Sequence, residues 1–134
     1  MTQARWAPLA LRTLWLLYFT ALFLATHMPV PAGLPPTVSD KALHVMAFMP
    51  LAWLSCAAWE TTARRVDWRV VLALVLYGAV DELLQWPVGR NADVWDWVAD
   101  TVGVAIGVGL YLLTRGALQR WTGHRGESNT SERS

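Results

Sequence analysis

Acidic side chains run through an apolar stretch between Tyr77 and Gly109 that otherwise has the composition of two membrane-spanning segments. They are Asp81, Glu82, Asp93, Asp96 and Asp100. An ionised carboxylate is costly in hydrocarbon, so ionisable groups within spans usually pair with one another, carry protons or bind a ligand. Acid–base chemistry or cation binding is therefore the chemistry that this part of the sequence predicts.

Helical spacing places several of these polar residues on shared faces. Gln85 follows Asp81 by four residues and Glu82 by three, so it can contact either acid along one helix face. The last apolar segment carries a stripe of residues three or four apart. The stripe is Asp93, Asp96, Asp100, Gly103 and Gly107. Because small residues allow close helix packing, the stripe predicts a polar cavity above a tightly packed floor.

The residue types suggest roles for this set. Glu82 and His44 are the hypothetical acid–base pair. The predicted ligand contacts are Lys41, Gln85, Arg90, Asp96 and Asp100. Cations among them would hold an anionic group, while the acids would orient the histidine or hold a divalent cation, for which oxygen-rich ligands favour a hard ion over zinc. Asp93 is predicted to cap the last helix, and Gly103 and Gly107 to serve in packing.

Purely structural roles for the same residues stay open. A buried polar network that only holds two helices together could be formed by Glu82, Gln85 and Arg90. His44 could instead be a packed histidine bonded to Asp40 or to a backbone carbonyl, and Lys41 could be an interfacial anchor. The sequence leaves the metal and any cofactor unknown.

The predicted site is short of cations. Six carboxylates face only Lys41, Arg90 and the titratable His44. The six are Asp40, Asp81, Glu82, Asp93, Asp96 and Asp100. Either several acids are protonated, or some face water, or a cation or cationic ligand completes the site.

Composition indicates an all-α membrane protein. Of 134 residues, 54 % are hydrophobic and 16 % are charged, and nine are tryptophan, which is more apolar surface than a soluble domain of this size can bury. We predict a four-transmembrane-helix bundle in residues 1–114 and a disordered cytoplasmic tail in residues 115–134. The predicted spans are about 11–29, 41–60, 68–87 and 93–114.

The basic residues set the predicted orientation. With four spans, nine of the eleven basic residues fall on one side, and only Lys41 and Arg90 fall on the other. The positive-inside rule then places both termini in the cytoplasm and the polar residues in the outer part of the membrane. The alternative for the first span is a signal peptide, with Val30, Pro31 and Ala32 as the cleavage site.

Several of these residues together resemble the VanZ-like family of small bacterial membrane proteins. The resemblance covers about residues 40–113 and rests on Asp40, Lys41, His44, Glu82, Gln85, Arg90, Asp93, Asp96, Asp100, Gly103 and Gly107. Asp93 stands where family members often have serine, and Asp100 where many have asparagine. The resemblance implies a multi-pass protein of the bacterial inner membrane. The family is named for a member linked to resistance against a glycopeptide antibiotic, but the resemblance implies no established reaction.

Three functions remain open at this stage. The first is an enzyme or binder in cell-envelope processes or antibiotic response, with a lipid-linked or cell-wall precursor as partner, although no nucleophile motif supports catalysis. The second is a small ion- or proton-coupled carrier. The third is a non-catalytic membrane assembly factor. The expected surroundings are the lipid bilayer and further copies of this chain, without nucleic acid.

Overall fold

The computed structural model describes residues 6–28, 39–59, 66–88 and 93–127, and these residues form four α-helices and one short 3₁₀ turn. The helices are α1 (Trp6–His27), α2 (Asp40–Ala58), α3 (Trp68–Gln85) and α4 (Val94–Glu127), and the turn is Trp86–Val88. The predicted all-α class is confirmed for the described residues. Helix α4 continues to Glu127, so residues 115–127 of the predicted disordered tail are helical, and the predicted boundary at residue 114 does not coincide with a helix end.

Three of the four helices are long and apolar enough to cross a membrane. The three candidate spans are Leu9–His27, Asp40–Ala58 and Val94–Gly116. Helix α3 is not among them because its 18 residues include Arg69, Asp81 and Glu82. At the helical rise it is about 27 Å long, close to the thickness of a hydrocarbon core. A fourth span in this helix stays a prediction.

Two aspartates fix where α3 and α4 begin. The Asp67 side chain accepts a hydrogen bond from the Arg69 amide, and the Asp93 side chain accepts one from the Trp95 amide, each at 2.9 Å. Both are the side-chain caps that satisfy backbone N–H groups left unpaired in the first turn of a helix.

Helices α2 and α4 run parallel and form the closest-packed pair of the bundle. Gly103 and Gly107 face the backbone of α2, at Val45 and Met49 respectively. Around this seam lie the buried residues of the core. They include Phe48, Leu51, Ala52, Val104 and Val108. Glycine allows this approach because any larger residue would place a Cβ where the α2 backbone already lies.

Helices α1 and α3 run antiparallel to this pair. On α1 the Trp15 ring N–H donates to Ser55 Oγ at 2.7 Å, and the Tyr18 hydroxyl donates to the Ala47 carbonyl at 2.9 Å. On the other side, the Trp97 ring N–H of α4 donates to the Val75 carbonyl of α3 at 3.0 Å. The last turns of α1 and α3 therefore lie beside the first turns of α2 and α4. We call this end of the bundle the polar end.

Candidate functional site

Buried polar side chains of the described residues concentrate at the polar end. Apart from Ser55, which lies further down the bundle, they are His44, Asp81, Glu82, Gln85, Asp96 and Asp100. Three helices, α2, α3 and α4, contribute them. The alternating helix directions thus bring residues more than fifty positions apart into one polar layer.

Three of these side chains form the group that we call the His44 cluster, consisting of His44, Glu82 and Asp100. His44 Nδ1 lies 2.9 Å from Asp100 Oδ1 and 3.8 Å from Glu82 Oε1. The three residues are only 6 %, 5 % and 1 % exposed. One imidazole nitrogen therefore faces two carboxylates out of contact with bulk water.

The carboxylates of the His44 cluster are positioned but not saturated. Glu82 Oε2 accepts a hydrogen bond from the Asp93 amide at 3.1 Å, which ties α3 to the start of α4. Glu82 Oε1 and Asp100 Oδ2 are buried and have no hydrogen-bond partner in the part of the chain that the structure describes. The Asp100 carboxylate packs against Gly78 of α3, where a Cβ would come within 3.2 Å of Oδ2.

Lys41 closes the solvent side of the polar end. Its ammonium lies 2.9 Å from Asp93 Oδ2 and 3.0 Å from Asp96 Oδ1, and its side chain is 48 % exposed. An anionic ligand held by Lys41, as the sequence suggested, would have to compete with both carboxylates.

A second group, the Asp81 network, lies on the α1 side of the polar end. Asp81 is fully buried, and its Oδ1 accepts hydrogen bonds from the Tyr77 hydroxyl at 3.0 Å and the Thr26 hydroxyl at 3.2 Å. Its Oδ2 accepts one from Gln85 Nε2 at 3.1 Å. His27 Nδ1 lies 3.8 Å from Oδ1. Gln85, predicted as a ligand contact, therefore bonds to Asp81.

The sequence placed Asp81 among the acids of the predicted site but indicated no role for Thr26, His27 or Tyr77. The spacing of four between Tyr77 and Asp81 was available as a signal. The contacts from Thr26 and His27 were not, because they depend on how α1 packs against α3.

The other predicted site residues fall into two sets. Lys41, Asp93 and Asp96 lie at the polar end beside the His44 cluster, and Gly103 and Gly107 continue below Asp100 toward the core. Arg90 lies outside the described residues.

Two open grooves border the buried groups. One, of about 270 Å³, runs between α1 and α2, and its lining includes Thr26, Asp40 and His44. The other, of about 240 Å³, runs between α3 and α4, and its lining includes Glu82, Asp93 and Trp97. Apolar residues line the rest of both grooves, so each brings an apolar surface up to a member of the His44 cluster.

The family model described as VanZ/LLP1 matches residues 5–115. The chain belongs to the VanZ/LLP1 family. The matched residues contain the whole His44 cluster and the whole Asp81 network. No curated protein and no solved structure matches the chain.

The polar end of this VanZ/LLP1 protein can support two kinds of chemistry. A histidine held by a carboxylate can take up and release a proton near neutral pH. The same donor types also suit a metal ion, and among the described residues two groups have their ligand atoms within 4.8 Å of one another. These groups are His44 with Glu82 and Asp100, and His44 with Asp40 and Asp96.

Proposed function

We propose that this VanZ/LLP1 protein is a four-span protein of the bacterial inner membrane whose polar end faces away from the cytoplasm. There the His44 cluster would act as an acid–base site on a lipid-linked, anionic precursor of the cell envelope. The observation that carries the proposal is the placement of His44 Nδ1 at 2.9 Å from Asp100 Oδ1 and 3.8 Å from Glu82 Oε1. An oriented imidazole beside a second carboxylate is an arrangement suited to proton transfer.

The membrane orientation is supported by charge and by helix direction. Nine of the eleven basic residues fall on one side of a four-span arrangement, as the positive-inside rule requires of cytoplasmic segments. Helix α3 runs antiparallel to α4, and hydrogen bonds at Val75 and Glu82 join it to α4 over about two helical turns. A helix packed in this way alongside candidate spans would share their depth in the bilayer.

The choice of substrate class is supported by the grooves. An apolar groove that ends at a buried polar group suits a molecule with a hydrocarbon chain and a polar head. The groove between α1 and α2 has this character, because Leu22, Leu43 and Phe48 line it together with His44. A lipid-linked precursor would place its chain along the apolar wall and its head group at the polar end.

Removing the proton-accepting groups should abolish function while sparing the fold. We expect His44→Gln and Glu82→Gln each to remove most of the protein's effect on sensitivity to cell-envelope antibiotics, because a general acid or base contributes about 10²–10⁴-fold to a reaction rate. Both variants keep side-chain volume and hydrogen-bonding groups. The measurement is complementation of a deletion strain, with membrane abundance of the tagged protein determined in the same cells.

Asp67→Asn is the matched control, because Asp67 caps α3 at the opposite end of the bundle and asparagine caps equally well. It should keep both abundance and phenotype. If phenotype falls in the two site variants only in proportion to abundance, the polar end has a structural role and the assembly-factor hypothesis is favoured.

Cysteine labelling tests the orientation. Cysteines introduced at Val88 or Ala92, in a Cys56→Ala background, should react with a membrane-impermeant maleimide added to intact spheroplasts. Cysteine at Thr130 in the same background should react only after the membrane is opened. The reverse pattern would place the polar end in the cytoplasm and contradict the proposal.

A further inference from the structure

We propose that the His44 cluster binds one divalent metal ion of the Mn²⁺ type, with His44, Glu82 and Asp100 as its protein ligands. The inference deepens the proposed function and rests on it for the role of the ion in the reaction. With the ion bound, His44 Nδ1 and the Glu82 carboxylate serve as its ligands, and the ion would supply the acid–base chemistry in place of these two groups. The binding site itself is supported by the geometry and the charge of the cluster.

The ligand spacing matches a small divalent ion. The three ligand atoms lie within 4.8 Å of one another, with His44 Nδ1 at 2.9 Å from Asp100 Oδ1 and 3.8 Å from Glu82 Oε1. Metal bonds of about 2.1 Å place two ligand atoms about 3.0 Å apart at a right angle and about 3.4 Å apart at a tetrahedral angle. Small side-chain movements would therefore bring all three atoms into coordination.

Two buried oxygen atoms of the cluster have no hydrogen-bond partner among the described residues. Glu82 Oε1 and Asp100 Oδ2 are both enclosed, in residues that are 5 % and 1 % exposed. A buried carboxylate oxygen without a partner is unfavourable. Because Glu82 Oε1 faces His44 Nδ1, a metal ion bound there would supply the interaction that this oxygen lacks.

The surroundings keep the Glu82 ligand atom in place. Because the Asp93 amide bonds to Oε2 at 3.1 Å, Oε1 is left facing His44. A hydrogen bond to the non-ligating oxygen is the usual way in which a metal-binding carboxylate is oriented. The Asp93 amide therefore positions the Glu82 carboxylate without contacting the ion itself.

The charge balance also calls for a cation. Within the described parts of the chain, Lys41 is the one lysine or arginine residue whose side chain reaches the polar end. It is bound to Asp93 and Asp96. Among the titratable side chains that the structure describes, His44 is the remaining partner of Glu82 and Asp100. A divalent ion would balance the charge of these two buried carboxylates, which the hydrogen bonds from the Asp93 amide and with His44 do not neutralise.

The other group of possible metal ligands at the polar end, His44 with Asp40 and Asp96, is less suited to hold the ion. Asp96 Oδ1 is already 3.0 Å from the Lys41 ammonium, and Asp40 is exposed. One imidazole with two carboxylates is an oxygen-rich set that favours Mn²⁺ over softer metals. Three protein ligands leave coordination positions for water or a substrate oxygen.

Electron paramagnetic resonance of bound Mn²⁺ tests the site directly. The full chain is purified in detergent and titrated with MnCl₂, and the ¹⁴N coupling of the bound ion is measured by electron spin echo modulation. We expect one Mn²⁺ per chain with a Kd in the range of about 1–100 μM, and a coupling that shows a nitrogen ligand. His44→Gln should remove that coupling, whereas His27→Gln should keep it.

Carboxylate variants provide the second measurement. Glu82→Gln and Asp100→Asn should each weaken Mn²⁺ binding by about 10-fold or more. Asp67→Asn is the control: it removes an acid at the opposite end of the bundle, where Asp67 caps α3, and should leave the Kd within about 2-fold of the original. Absence of stoichiometric binding below about 1 mM, a bound ion without nitrogen coupling, or unchanged binding by both carboxylate variants would each overturn the inference.

The outcomes separate the metal site from the proposed function. If Mn²⁺ does not bind while His44→Gln and Glu82→Gln lose phenotype at normal abundance, the metal inference fails and the acid–base site stands. If Mn²⁺ binds as expected while those variants keep phenotype, the proposed function fails and the metal site stands. The wild-type nitrogen coupling decides the first question even if a variant does not fold.

Discussion

Replacing Gly107 with alanine should destabilise the folded protein by about 3 kcal/mol. A Cβ at this position would overlap the Met49 carbonyl oxygen of α2 and come within 2.8 Å of the Ala52 Cβ. The first of these neighbours is backbone, so no rotamer change can relieve the overlap. Helices α2 and α4 would have to separate along their closest seam, and packing around Phe48 and Val104 would loosen with them.

Gly109→Ala is the matched control, because it lies on the same helix and a Cβ there meets nothing within 4 Å. Alanine favours the helix over glycine by about 1 kcal/mol, so this variant should be neutral or slightly more stable. The measurement is unfolding by SDS in mixed micelles, followed by tryptophan fluorescence. Equal stability of the two variants would contradict the close seam. Ala52→Gly combined with Gly107→Ala should recover only part of the loss, since the carbonyl overlap persists.

The second large effect is expected at Asp81, where alanine should cost about 2–4 kcal/mol of unfolding free energy. The change removes the acceptor for two donors, Tyr77 Oη and Gln85 Nε2, which bond to it at 3.0 and 3.1 Å. Thr26 can turn its hydroxyl fully to the Phe23 carbonyl oxygen, 3.1 Å away. Most of the cost therefore comes from the buried Gln85 amide and the half-buried Tyr77 hydroxyl, which lose their acceptor.

Two further variants show whether the loss at Asp81 comes from hydrogen bonding. Asp81→Asn keeps one acceptor oxygen and should cost about half as much as alanine. Tyr77→Phe removes one donor and should cost about 1 kcal/mol alone, but almost nothing in the Asp81→Ala background. Additive losses in the double variant would mean that the two residues do not interact and would contradict the network.

The sequence alone indicated a large part of this arrangement. Apolar composition indicated helices in a membrane, and the structure gives four helices, three of which have the length and apolarity of spans. The order of the residues resembled the VanZ-like family, and the family match confirms it. Spacing of three and four residues also placed Asp100, Gly103 and Gly107 on one face of the last helix.

The choice among possible partners on different helices was beyond the sequence. His44 had Asp96 and Asp100 as acids that could orient it, and Asp40 or a backbone carbonyl as the alternative; the structure selects Asp100, 56 residues away. Gln85 had two acids at suitable spacing, and the structure bonds it to Asp81. Nothing in the sequence indicated that Thr26 and His27 of α1 contact Asp81.

The sequence and the tertiary structure explain different features of the acidic residues between Asp81 and Asp100. The sequence by itself determined that the acids lie on helices, which of them share a face, and that cations are too few to balance them. The tertiary structure alone decided that Asp100 and Glu82 meet at one nitrogen of His44, that Lys41 is bound by Asp93 and Asp96, and that Asp81 forms a separate network. The physical reason is that helical periodicity fixes directions within a helix, whereas partners on different helices depend on the rotation and depth of each helix, which close packing at Gly103 and Gly107 sets.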